Sequence, residues 1–237
     1  MADKSGKLPA KSAQAEVDAF LAKVASTPVV KASNGRGRLI FAMDATASRG
    51  PTWDRACHIQ SEMFLETEAL GGLDIQLCYY RGFREFYASA WIGKPADLLV
   101  KMREVRCAGG MTQIGRVLKH TAAEAQENKV NALVFVGDCM EENIDQLCHL
   151  AGELGILGVP AFLFHEGDDL AAERTFREIA RLSGGAYCRF DANSAHQLRD
   201  LLSAVAVYAA GGRKALEDFG QRQGGVALRL TRQFKKG

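Results

Sequence analysis

Residues 39–48 read Leu-Ile-Phe-Ala-Met-Asp-Ala-Thr-Ala-Ser: five apolar residues run straight into one acid and two hydroxyls. An unbroken apolar run of this length marks a strand covered on both faces. A second run, Asn131-Ala132-Leu133-Val134-Phe135-Val136, ends in the same manner, at Gly137-Asp138. Doubly covered strands belong to sheets whose connections are helices, so helical periodicity is expected between them.

It is found. Ala56, Ile59, Met63 and Phe64 fall at helical spacing within Trp53–Leu70, and Gly71-Gly72 closes that helix. Leu73–Tyr80 reads as a second strand. Arg81-Gly82-Phe83 is too short for a parallel crossover, so Arg84–Trp91 is expected to return antiparallel. Helices follow at Ala96–Val105, Thr112–Glu127, Asn143–Leu154, Leu170–Leu182 and Ala195–Ala210, with strands at Val159–His165 and Ala186–Phe190. Upstream, Val17, Phe20, Leu21 and Val24 recur at i, i+3, i+4, i+7 and predict a helix over 14–25 that packs on the domain. Downstream, Gly224–Leu230 alternates as a lone strand does. The predicted fold is a single α/β domain. It is a Rossmann-like three-layer sandwich with a central, mostly parallel sheet, one short antiparallel edge strand and helices on both faces. Its expected limits are residues 37–212, after a basic N-terminal segment (1–36) carrying the short helix and before a basic tail (213–237).

Composition fits one such domain: 237 residues, 47% hydrophobic and 24% charged, with 24 Gly and 5 Pro. No apolar run approaches the length of a membrane span, and the first residues lack the apolar stretch of a secretory signal. Six cysteines without CxxC spacing point to neither a zinc ribbon nor a disulfide framework, and a reducing cytoplasm is expected. The net charge of +2 hides an asymmetry. Residues 1–36 hold six Lys/Arg against three Asp/Glu and residues 213–237 seven against two, leaving 17 against 23 between. Basic ends of this kind are read as solvated termini; without interleaved aromatics, nucleic acid is not expected as a partner.

Parallel sheets bind ligands beyond the carboxyl ends of their strands. Three segments converge there: Asp44-Ala45-Thr46-Ala47-Ser48, the loop Gly109-Gly110-Met111-Thr112, and Gly137-Asp138. Two carboxylates and three hydroxyls make a hard oxygen set suited to Mg²⁺ or Mn²⁺, and no His or Cys joins it, which argues against zinc.

These residues resemble the metal-ion-dependent adhesion site of von Willebrand factor type A (vWA) domains. Asp44, Thr46 and Ser48 match its Asp-x-Ser-x-Ser motif, with Thr in place of the first Ser. Thr112 matches the loop Thr and Asp138 the late Asp, and the resemblance spans about residues 38–210. One departure is Cys139 after Asp138, where the family often has Gly, followed by Glu141-Glu142. The resemblance implies binding rather than catalysis: Mg²⁺ or Mn²⁺ on Asp44, Thr46, Ser48, Thr112 and Asp138, with a protein partner's Asp or Glu completing the coordination. Glu141 or Glu142 filling that position internally is the local alternative. By family analogy the partner is an AAA+ ATPase or a larger assembly, and the chain a cytosolic adaptor.

Plainer readings stand beside this one. Asp44 and Ser48 suit a turn and helix cap, and Gly109-Gly110 a tight turn. Asn34-Gly35-Arg36-Gly37 precedes a strand, so a dinucleotide loop is disfavoured. Cys57-His58 and Cys148-His149 point apart on their helices and form no dyad. Two other functions remain: a metal-dependent phosphoester hydrolase, for which no general base is evident, and a metal-free scaffold binding through its basic tails.

Overall fold

The computed structural model describes residues 10–27, 36–49, 72–190, 200–211 and 215. The helix expected at Trp53–Leu70, with Cys57-His58, and the strand expected at Gly224–Leu230 lie outside these residues. Six strands form one sheet: β1 (Gly37–Asp44), β2 (Leu73–Arg81), β3 (Glu85–Ala88), β4 (Ala132–Gly137), β5 (Ala161–Glu166) and β6 (Ala186–Phe190). Their spatial order is β3-β2-β1-β4-β5-β6, every pair parallel except β2–β3. The helices are α1 (Ala10–Ser26), α2 (Pro95–Glu104), α3 (Ile114–Glu127), α4 (Ile144–Ile156), α5 (Leu170–Ser183) and α6, helical over 200–211.

The apolar run of β1 feeds two cores because successive strand side chains point to opposite faces. Leu39, Phe41 and Met43 join α1, α2 and α6 on one side. Ile40 and Ala42 join α3, α4 and α5 on the other. In α1, Val17, Phe20, Leu21 and Val24 are buried, and the Phe20 ring centroid lies 5.9 Å from that of Phe162 and 5.2 Å from that of Phe164. Local chemistry sets the ends of α5: Asp169 accepts from the Ala172 N–H at 2.7 Å, and Gly184 closes the helix at φ 78°.

The return strand is shorter than Arg84–Trp91. Arg84 belongs to the turn, at φ 68°, and β3 ends at Ala88. The next residue keeps half of its ladder pair: the Ser89 N–H donates to the Leu77 carbonyl at 2.9 Å, but the Leu77 N–H donates to the Ser89 hydroxyl at 3.0 Å. Pairing resumes as an isolated bridge between Ile75 and Ile92. Helix α3 starts at Ile114 rather than Thr112, which leaves Thr112 in the loop.

Strand order reverses between β1 and β4: β2 neighbours β1 on one side and β5 neighbours β4 on the other. At such a switch point the loops diverge and open a crevice. Asp44 ends β1 and Asp138 follows β4. The fold therefore sets these two acids side by side.

Candidate metal centre

Asp44 is fully buried, and both its oxygens are engaged: Oδ1 accepts from the Thr46 N–H at 2.7 Å and Oδ2 from the Tyr80 hydroxyl at 2.9 Å. The first bond bends the chain after β1 so that the Thr46 and Ser48 hydroxyls meet at 3.0 Å. The loop before α3 is drawn to this turn by a parallel bridge between Thr46 and Ala108, with the Ala108 N–H on the Ala45 carbonyl at 3.1 Å. Gly110 continues that loop in backbone contact with the β2–β3 turn: a Cβ there would lie 2.0 Å from the Gly82 carbonyl oxygen. Gly110→Ala is expected to push loop and turn apart and to lower the melting temperature, a change that thermal unfolding measures directly.

Thr112 is tied to the loop after β4 by a reciprocal pair. The Glu141 N–H donates to Thr112 Oγ1 at 3.1 Å, and the Thr112 N–H to Glu141 Oε2 at 3.2 Å. A hydroxyl has two lone pairs, so Thr112 keeps one for a further ligand. Glu142 is committed elsewhere. Its carboxylate accepts from the Ile114 and Gly115 N–H groups, the latter at 2.9 Å, and caps α3 where Gln113 supplies no side-chain cap. Both Glu142 carboxylate oxygens are thus engaged with the first turn of α3. Glu142→Gln is expected to lower stability by about 1.5–3 kcal/mol, the range for hydrogen bonds to a charged group. A urea midpoint that falls with an unchanged slope would register it.

Asp44, Asp138 and Cys139 each place a ligand atom within 4.8 Å of the others. Burial pushes the Asp44 carboxyl above its ordinary value, and the Asp138 charge adds to the shift, against the opposing bonds from Thr46 and Tyr80. Asp138 Oδ1 is buried without a hydrogen-bond partner. The Asp138 backbone is held by buried His165, whose Nε2 lies 3.2 Å from the Asp138 carbonyl oxygen and whose Nδ1 lies 3.0 Å from the Tyr187 hydroxyl.

A carboxylate oxygen orphaned beside a second buried carboxylate is a costly arrangement that a cation would relieve. The chemistry of the nearby donors suits a hard divalent ion: the Asp44 carboxylate lies in the same cluster as the orphaned oxygen, and hydroxyls stand on the adjoining loops. Cys139, outside the oxygen set expected from the sequence, lies in the same cluster. Its thiol is pushed up to about 12 by burial and by the neighbouring Asp138 and Asp44 carboxylates. A lone protonated thiol is far from the multiple thiolate and imidazole ligands of zinc sites.

Sequence reasoning also passed over Tyr80, which reads as an ordinary core strand residue. Its signal lies in the register, since parallel pairing sets Tyr80 opposite Asp44.

No protein-family model matches the chain, and no curated protein matches it at a significant level. Solved structures do match. A von Willebrand factor type A protein from Catenulispora acidiphila aligns with TM-score 0.59 and 14% identity over 72% of this chain and 43% of its own. Proximal thread matrix protein 1 of the mussel byssus aligns with TM-score 0.56 and 14% identity over 73% and 46%. The SpRpn10 VWA domain aligns with TM-score 0.54 and 11% identity over 75% of this chain and 97% of its own. The chain thus has the fold of vWA domains and spans less than half the length of the first two proteins. No described helix is long and apolar enough to cross a membrane.

Proposed function

We propose that the chain is a protein-interaction module of the vWA type that holds Mg²⁺ or Mn²⁺ on Asp44, Thr46, Ser48, Thr112 and Asp138. A partner protein would supply an Asp or Glu to complete the coordination. The observation that carries the reading is the orphaned, buried Asp138 oxygen beside buried Asp44. Two protein carboxylates roughly balance a divalent ion's charge, and a partner carboxylate could replace one of its waters. Without the ion, a partner acid approaching Asp44 and Asp138 meets like charge. The reading extends to a cytoplasmic adaptor serving an AAA+ ATPase or larger assembly. The analogy is one of fold.

Pull-down with the full chain tests this. A partner recovered in Mg²⁺ should be lost in EDTA and lost with Asp138→Ala or Thr112→Ala, while Mn²⁺ should replace Mg²⁺ and the larger Ca²⁺ should do so poorly. Binding that survives EDTA and both substitutions would refute it.

The raised Asp44 carboxyl gives the metal response a pH dependence. The folded chain holds this proton more tightly than the unfolded chain. Without metal, the stability from this group is therefore full below the ordinary carboxylate range and is lost as pH rises through the raised value. A cation takes only the deprotonated form. The rise in melting temperature caused by Mg²⁺ should thus be full near neutrality and fade as pH falls through the raised Asp44 value. Thermal scans from about pH 8 to about pH 4 follow it. A metal-induced rise that stays constant across that range would show that Asp44 is not a ligand.

A further inference from the structure

Seven large apolar side chains stand exposed among the described residues, and they are unevenly spread. Phe83, Met111, Ile144 and Leu170 all lie at the carboxyl edge of the sheet, in its turns or at the first residues of its helices. Phe83 is 86% exposed at the tip of the β2–β3 turn, and Met111 is 57% exposed, one residue before Thr112. The two belong to adjoining surfaces. Gly110 and Gly82 are in backbone contact, and Gln113 Nε2 donates to the Arg81 and Glu85 carbonyls, both at 3.3 Å.

Arginines hold the same turn and loop together. Arg116 donates to the Arg84 carbonyl and to Gln113 Oε1, both at 2.7 Å, and Arg106 donates to the Arg103 carbonyl at 2.8 Å. Arg81 donates to the Arg106 carbonyl at 2.8 Å and pairs with Glu85. Among the described residues no carboxylate pairs with Arg84, Arg106 or Arg116. Among the described residues these three guanidiniums therefore have no carboxylate partner, and the Arg116 guanidinium lies 5.3 Å from the Phe86 ring centroid.

Arg84 carries a second sign. At φ 68° it occupies the left-handed position of a three-residue hairpin turn, where glycine is the usual occupant and an L side chain is strained. Strain of this kind persists where a side chain is wanted for a contact. Positive charge alone would suit a phosphate backbone as well as an acidic peptide. The apolar pair and the adjoining carboxylate-seeking metal site select the polypeptide.

We propose that this face docks an acidic stretch of the partner polypeptide flanking its metal-ligating carboxylate, with a partner apolar side chain seated against Phe83 and Met111. The inference rests on the metal-dependent reading above and adds the chemistry of the partner. The apolar pair carries affinity, and the arginines steer association and reject basic segments.

The test is a random peptide library selected on the full chain in Mg²⁺, with the enriched peptides then measured on variants. Enrichment of Asp and Glu together with Leu, Ile or Phe is expected. Phe83→Ala should weaken those peptides about tenfold or more, as loss of a central aromatic contact does. Arg84→Gly should weaken them while raising the melting temperature by roughly 2–4 °C, because it relieves the strained turn. A merely structural arginine would not separate binding from stability in that way. Arg116→Gln should slow association and flatten its salt dependence.

EDTA-sensitive peptides that bind Phe83→Ala and Arg84→Gly as well as the parent chain would overturn the docking face and leave the metal site standing. Peptides indifferent to EDTA would sink the metal reading and this inference with it. Enrichment of basic or neutral sequences, or displacement of the acidic peptides by a single-stranded oligonucleotide, would overturn the inference alone.

Discussion

Saturating Mg²⁺ is expected to raise the melting temperature of the full chain by roughly 5–10 °C. An ion present at about 100-fold over its dissociation constant, and binding the folded state alone, adds roughly 2.7 kcal/mol. Each kcal/mol moves the melting temperature of a chain of this size by about 2–4 °C. Asp138→Asn should abolish that shift and act oppositely in EDTA. There it removes the charge from a buried, orphaned oxygen beside Asp44, so the metal-free variant should be more stable than the parent. A variant that melted lower than the parent in EDTA and still responded to Mg²⁺ would place the ion elsewhere.

The second large effect lies far from the site. Phe20→Ala is expected to lower stability by about 3–5 kcal/mol, the cost of removing a buried aromatic from a packed core. Phe20 sits in α1, in the basic N-terminal stretch, yet its ring packs against Phe162 and Phe164 of the sheet strand β5. Urea unfolding measures it. A midpoint within error of the parent would mean that α1 is appended to the domain rather than part of its core.

What was legible in the sequence follows from periodicity. Leu39–Met43 and Ala132–Val136 read as strands because both faces are covered, so no polar residue interrupts them. Helix α5 was legible from its pattern as Leu170–Leu182, one residue short of its observed end at Ser183, and its ends are fixed by local caps at Asp169 and Gly184. Other features depended on tertiary contacts. Arg84 gave no sign of a left-handed turn, since arginine is not a residue that favours one. The Ser89 hydroxyl cut β3 short by taking a ladder N–H from another strand.

The site divides along the same line. Asp44, Thr46, Ser48, Thr112 and Asp138 could be picked out because they follow strands or sit in a glycine-led loop before a helix, where a parallel sheet gathers its ligands. Tyr80 could not, and Cys139 and Glu142 stood out only as the residues that follow Asp138, Glu142 as an alternative occupant of the site rather than as a helix cap. Tyr80 acts through register, Cys139 through proximity, and Glu142 by capping a helix whose start lies 28 residues earlier in the chain. None of these has a local sequence signature, and each bears on how Asp44, Asp138 and Thr112 are held.

The most direct measurement is titration of the metal-free full chain with Mn²⁺, followed by electron paramagnetic resonance of the free ion. The expected result is one tight, saturable Mn²⁺ per chain that Mg²⁺ displaces and that Asp138→Asn and Asp44→Asn each lose. Saturable binding of the same strength in both variants, or no saturable binding in the parent chain, would contradict a divalent-cation centre at the β1–β4 switch point.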